Sequence, residues 1–315
     1  MALNLTPVRP DAPRASAPRR LVPVRSGSAA ASGRLSRTIV NVVMIALCAA
    51  IVVPTAWVFM ASIKTRPEFY GDPWALPLGV HVQNFVDAFV KARMGDYFVN
   101  SILVTVLALA ISLVVAVPAA YVLARFEFRG KSALEVAILA GLFINVNYIV
   151  VPIFLQLLGW DRALRGLFPQ GIFIDNLAVL ALVYAATSLP FTIYLLSTFF
   201  RTIPVDYEEA AMLDGSSRLR TMVSVMLPLA LPAISTALLF NFLAYWNDFI
   251  ISLTLVPGDS KTLQVGLLNL FQAQRAAADY GVLYAGMVIV MVPVIVFYAI
   301  IQRRLLQSVG GGGIK

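Results

Sequence analysis

Residues 201–232 read RTIPVDYEEAAMLDGSSRLRTMVSVMLPLALP, a long charged passage lying between apolar stretches. Its chemistry predicts two short helices joined by a forced turn. Asp206 can cap a helix beginning near Tyr207, with Glu209 reaching back as in a capping box. Asp214-Gly215 supplies residue types that tolerate a left-handed backbone, and Ser216 or Ser217 can cap a second helix running towards Pro228. Composition alone leaves two readings open, an ordinary loop or a built contact surface.

The flanking sequence sets the environment. The 315-residue chain is 60% hydrophobic and 13% charged, with mean hydropathy +0.84, far from the composition of a soluble domain. Six apolar stretches, at about 39–63, 100–124, 133–158, 177–200, 229–256 and 281–301, can each cross a bilayer. Pro54, Pro118, Pro152, Pro190 and Pro293 lie in or near them and predict kinked, packed helices. Residues 1–37 carry seven arginines against one acid, Asp11, without hydrophobic periodicity, and read as a disordered basic arm. That composition fits a cytoplasmic arm or an organellar transit peptide. Residues 38–315 then form one transmembrane domain, with a coupling loop at about 201–227 and a tail at about 302–315.

With an even number of spans, one set of ends and loops holds 16 lysines and arginines and the opposite set 8. The richer set, which includes both termini and residues 201–227, is placed in the cytoplasm. This explains the net charge of +8 without nucleic acid, for which no other feature speaks. Cys48 is the only cysteine, which removes intrachain disulfides, and neither it nor the lone His81 belongs to a metal-ligand set. His81 reads as a solvated loop residue.

No engine is legible in the chain. Gly130-Lys131-Ser132 lacks the glycine that would open a phosphate loop at Arg125. The central parts of the spans are almost free of ionisable groups, against an ion-driven carrier, and Glu135 reads as interfacial. No nucleophile stands with a base, against an enzyme. The fifth stretch does carry a polar stripe. At about 100° per residue, Asn241, Tyr245, Asp248 and Ser252 fall within about 60° of one another on a helix. They can line a hydrated solute path or hydrogen-bond a neighbouring helix. Trp246 and Asn247 point elsewhere, and Trp246 reads as an interfacial aromatic anchor. In the third stretch, Asn145 and Asn147 lie on different faces, so at most one faces a central path, and packing is the simpler role for both.

Glu209-Ala210-Ala211, Asp214-Gly215, Leu227-Pro228 and Pro232 resemble, in order and spacing, the EAA loop of bacterial ABC-importer permeases. Ser216, Met222 and Val225 are mild departures. Ser62-Ile63-Lys64, Tyr97-Phe98-Val99-Asn100-Ser101, Ala120-Tyr121, Ala124-Arg125-Phe126, Trp246-Asn247-Asp248 and the tail QRRLLQSVGGGGIK look like the sugar-uptake branch, the tail like that of the second permease of maltose-type systems. The resemblance implies an all-α integral protein of the bacterial inner membrane with six transmembrane helices, the type I importer permease fold and cytoplasmic termini. It implies a subunit that pairs with a second, different permease, two ATPase subunits and an extracytoplasmic solute-binding protein. ATP and magnesium would sit on the ATPases, with no cofactor on this chain. The first helix of the loop would dock in the ATPase, with Glu209 as a charged contact, Ala210 and Ala211 allowing close approach, and Gly215 making a turn that a side chain would obstruct. Gly313 and Lys315 would reach between the ATPases. In maltose-type systems the partner permease makes most sugar contacts. Importers of peptides, amino acids or anions share such a loop, whereas a self-sufficient secondary carrier needs none.

Overall fold

Apolar runs of this length become helices because a helix satisfies its own backbone where water is absent. The structure, a computed structural model, describes residues 27–277 and 279–310, with side chains over 37–274 and 279–302. Among the described residues all regular structure is helical: α1 (Gly27–Ser62), α2 (Arg66–Gly71), α3 (Gln83–Val86), α4 (Met94–Arg125), α5 (Lys131–Leu142), α6 (Val146–Ala163), α7 (Leu177–Thr202), α8 (Asp206–Leu213), α9 (Arg218–Thr221), α10 (Leu227–Leu229), α11 (Leu231–Trp246), α12 (Ile250–Leu255), α13 (Leu263–Ala277) and α14 (Tyr280–Gly310). Single π-helical turns cover Asp87–Lys91 and Met222–Met226. The chain divides into two units, Met1–Pro54 and Thr55–Lys315. In the first, α1 already begins at Gly27, inside the stretch expected to be an unstructured arm, and residues 1–26 lie outside the described residues. So do Gly313 and Lys315 of the tail.

Among the described residues four helices are long and apolar enough to cross a membrane, and two bent pairs raise the number to six if each pair is one span. The third apolar stretch is one such pair, α5 and α6, bent by 104°, and not a continuous helix. Asn145 causes the break: its extended backbone (φ −76°, ψ 117°) lets its side chain accept from Asn147 N at 3.0 Å, capping α6. The fifth stretch also breaks, with a 74° bend between Arg218–Leu229 and Leu231–Trp246. Pro232 offers no N–H to the carbonyl four residues back and its ring crowds that turn. A second interruption at Asn247–Phe249 separates α11 from α12.

Within the second unit, α4 lies along α7 as the most extensive helix pair. Small residues allow this approach: Ala108, Ala116 and Ala120 of α4 and Ala181 and Ala185 of α7 are all buried. At the end nearest α8, Tyr121, Phe200, Met226 and Ala230 close one apolar cluster. Glu135 of α5 pairs with Arg201 of α7 at 2.5 Å. At the other end of the bundle, buried Lys64 donates through Nζ to the carbonyls of Asp72 and Pro73, both at 3.0 Å. Asn84 Nδ2 donates to the carbonyls of Ser62 (2.9 Å) and Lys64 (2.8 Å). The Ser62-Ile63-Lys64 segment thus ties the end of α1 to the following loop. In that loop, the Thr65 backbone N–H holds the Glu68 carboxyl below its usual range. Asn100 Nδ2 donates to Lys261 O (3.0 Å) and Ser101 Oγ accepts from Leu263 N (2.7 Å), fastening α4 to the loop before α13. His81 is exposed. Trp246 is no surface anchor in this chain: it is 3% exposed, stacks on Phe242 and donates through Nε1 to Val290 O at 3.1 Å.

Candidate functional site

The predicted helix-turn-helix is present, with a different start. Val205 precedes α8, Asp206 is its first residue, and no side chain caps it. Glu208 N and Glu209 N both donate to Val205 O, at 2.8 and 3.1 Å, so the helix begins one residue earlier than a capping Asp206 requires. Asp206, Glu208 and Glu209 instead place negative charge in the first turn, where the helix dipole favours it. The other end is a Schellman arrangement: Ser216 N donates to Ala211 O and Gly215 N to Met212 O, both at 3.0 Å, with Gly215 at φ +81°. Ser217 Oγ then accepts from Arg220 N at 3.4 Å and caps α9.

The turn sorts the motif residues into two faces. Glu209, Ala210, Asp214 and Gly215 are exposed, whereas Ala211 is buried against its own chain and is not available for close approach by another. Leu213, at 89% exposure, forms an apolar tip beside the turn, flanked by exposed Met212. Leu227 and Pro228 lie away from the tip in α10, the connector to α11, where Leu227 packs against the cluster around Phe200. Among the described residues, nothing beyond the adjoining positions lies within 4 Å of the place a Gly215 Cβ would take. The glycine answers to its backbone sign, not to crowding within the chain.

Beneath the exposed face sits Glu208. Its Oε1 meets Arg125 Nε at 2.5 Å and its Oε2 accepts from the Tyr121 hydroxyl at 3.1 Å. Arg125 also donates to Ile203 O at 2.6 Å. Arg218 lies 5.0 Å above the Phe126 ring. Sequence reading passed over Glu208 in favour of its neighbour Glu209. The available signal was the i, i+4 spacing of Tyr121 and Arg125, which puts a hydroxyl and a cation on one face of α4.

At mid-bundle the structure brings Asn241, Tyr245 and Asp248 together. Asn241, 2% exposed, donates through Nδ2 to Thr192 Oγ1 at 2.9 Å and reaches Ser112 Oγ at 3.4 Å. The Tyr245 hydroxyl bonds Ser188 Oγ, which lies 3.3 Å from Ser112 Oγ. The Tyr245 ring stacks on Tyr184 at 5.4 Å and 4°, and the Tyr184 hydroxyl donates to Asp248 Oδ2 at 2.7 Å. Asp248 Oδ2 also accepts from Ser252 N at 2.9 Å, holding the start of α12. Ser252 Oγ bonds Thr262 Oγ1 at 2.5 Å and also lies against the Tyr184 hydroxyl, so Ser252 joins the network from α12. These groups bond to α4 and α7, and several of them also line a cavity of about 370 Å³ bounded by Tyr184, Thr187, Ser188, Asn241, Tyr245 and Asp248. Asn145 and Asn147 are both exposed, so neither packs inside this chain as expected; Asn145 acts as a helix cap. The partners on α7 were legible as Tyr184, Ser188 and Thr192 at i, i+4, i+8. Among the described residues no group of three or more His, Cys, Asp or Glu could hold a metal ion.

Asn241→Leu is expected to leave Thr192 and Ser112 without their shared donor and to cost on the order of 1 kcal/mol, the scale of interhelical hydrogen bonds in membranes. A lowered thermal midpoint of the purified protein, with normal membrane insertion, checks it.

Apolar helices broken at polar turns, a largely apolar cavity with hydroxyls, an amide and a carboxylate on its wall, and an apolar-tipped helix-turn at one end are the architecture of a membrane transport subunit. The chain belongs to the family of binding-protein-dependent transport system inner membrane components, which it matches over residues 112–311, and is a multi-pass inner-membrane protein. It is 37% identical over 286 residues to the diacetylchitobiose uptake system permease protein of Streptomyces coelicolor, covering 90% of this chain and 91% of that one. It is 33% identical over 264 residues to the trehalose transport system permease protein of Mycobacterium tuberculosis, covering 83% and 92%. The fold is that of a solved bacterial ABC transporter chain involved in import of the acidic polysaccharide alginate, with TM-score 0.72 and 23% identity over 86% of this chain and 97% of that one.

Proposed function

We propose that this chain is one permease subunit of an ATP-driven importer of sugars, coupled through α8 and the Gly215 turn to a cytosolic ATPase. The observation that carries the coupling is the turn itself. In a chain of this family, the EAA-like segment folds as a helix closed at its C-terminus, whose Leu213 tip projects beside a left-handed glycine and is 89% exposed among the described residues. An exposed leucine beside exposed Met212 at a rigid turn offers apolar surface whose removal from water favours docking in an apolar cleft. Two ATPase subunits would hold ATP and magnesium; a second, different permease and an external solute-binding protein complete the assembly. This chain carries no reaction of its own.

Six spans, with each bent pair taken as one, and cytoplasmic ends and α8 are the arrangement that the lysine and arginine asymmetry supports. For the solute, a cavity with a stacked tyrosine pair, a carboxylate and hydroxyls offers acceptors to a polyhydroxylated ligand, in keeping with the sugars named for the relatives. Asn241, Tyr245 and Asp248 are its candidate contacts.

Orientation and coupling are tested together. With Cys48 replaced by serine, Leu213→Cys should react with a membrane-impermeant maleimide in inside-out vesicles and stay unlabelled in intact cells. The purified complex should contain an ATPase and take up labelled oligosaccharide only with ATP and a binding protein. Uptake without an ATPase would establish a secondary carrier, and ATP-driven uptake of peptides or anions alone another importer branch.

A further inference from the structure

Glu208 and Glu209 are adjacent acids in the first turn of α8 with opposite fates: Glu209 is exposed and Glu208 is buried. The side chains of Arg125 and Glu208 are only 9% and 10% exposed. Both carboxylate oxygens of Glu208 are taken by one turn of α4, Oε1 by Arg125 and Oε2 by Tyr121, while Arg125 also binds the Ile203 carbonyl at the end of the segment leading out of α7. A buried ion pair is a poor choice for stability alone, since apolar residues of similar volume serve as well or better. What it supplies is attachment: the charge contact between Oε1 and Arg125 Nε, which lacks hydrogen-bond alignment, together with the bonds from Tyr121 to Oε2 and from Arg125 to Ile203 O, holds the start of α8 against the C-terminal end of α4.

We propose that Glu208, Arg125 and Tyr121 form a strut that makes α8 move as one body with the C-terminal end of α4. They are positioning residues for transport. The inference rests on the reading of α8 as the coupling helix. Apart from the strut, α8 is held by its chain connections and by packing on α9 and the Met222–Met226 turn, all within its own loop, so the strut is what joins it to α4. With it, displacement passes into α4, which lies along α7; Ser112 of α4 contacts Ser188 and Asn241, and α7 supplies Tyr184 and Ser188 to the wall of the mid-bundle cavity. The strut thus connects the tip to the cavity through rigid helices.

The test uses the complete reconstituted complex and reads solute transported per ATP hydrolysed. Glu208→Gln and Arg125→Gln are expected to keep the ATPase copurifying at wild-type yield, because Leu213 and Glu209 are untouched, while transport per ATP falls about tenfold, within the range by which coupling elements act. The exchange Glu208→Arg with Arg125→Glu should recover most of that loss. Tyr121→Phe removes one hydroxyl and no volume, so it keeps the fold even where the charge variants do not. It should raise amide hydrogen exchange over residues 206–213 and lower transport per ATP about threefold. The strut is overturned if transport per ATP is unchanged in Tyr121→Phe, if the charge exchange restores protein yield without coupling, or if the single variants lose the ATPase altogether, which would make the pair a docking element. Failure of the underlying reading looks different: Leu213→Asp would then leave both ATPase recovery and uptake at wild-type levels.

Discussion

Replacing Gly215 by valine is expected to abolish ATP-driven uptake while leaving the protein in the membrane at normal level. At φ +81° a β-branched residue meets its own backbone, and the left-handed conformation costs roughly 1–2 kcal/mol even for unbranched residues. The turn would relax to negative φ and give up the bonds from Ser216 N to Ala211 O and from Gly215 N to Met212 O that close α8. Leu213 would then leave its position, and a cleft shaped for it would no longer be filled. Because, among the described residues, no atom beyond the adjoining positions lies within 4 Å of the missing Cβ, the penalty is conformational, and it ranks the substitutions. Asparagine, which tolerates the left-handed region, should retain most uptake, alanine less, and valine almost none. Uptake of labelled solute set against membrane content by immunoblot checks the series, and an order following side-chain volume instead would place the constraint in the partner.

Leu213→Asp should have an effect of similar size by another route. At 89% exposure the leucine contributes little to the fold, so thermal stability should stay within about 0.5 kcal/mol of the parent, as for surface sites generally. In a complex the same side chain would be desolvated, and a buried unpaired carboxylate there should cost at least 2 kcal/mol, more than tenfold in binding. Loss of the ATPase on purification, together with loss of uptake and an unchanged thermal midpoint, is the expected result. Retained ATPase would assign the leucine to some other surface.

Much of the architecture was legible because the bilayer leaves a chain few choices. Apolar runs near twenty residues long become helices, and the Asp214-Gly215 pair marks a left-handed turn whatever surrounds it. Ser217 followed by a short helix follows the same local logic. Where several local solutions compete, the reading was less secure. Asp206 could have capped α8, yet the chain leaving Pro204 enters the helix at Val205. The third stretch could have run unbroken, yet Asn145 caps a new helix and turns it by 104°. An unbroken helix across 241–252 would set Ser252 directly beside Tyr245, but the interruption at Asn247–Phe249 turns it to Thr262, Asp248 and Tyr184 instead.

By itself the sequence determined the class of protein, the six apolar stretches, the charge asymmetry and the residue that must adopt φ +81°. Each of these depends on composition or on a residue's own backbone. Only the tertiary structure decided which acid of the Glu208-Glu209 pair turns inward, which alanine is buried, and which partners the polar stripe takes. Those outcomes depend on groups far apart in the chain: Arg125 and Glu208 are 83 positions apart, and Asn241 reaches Ser112 across 129. No local pattern encodes such a meeting, because it is the packing of α4 against α7 and α11 that brings the groups within hydrogen-bonding distance.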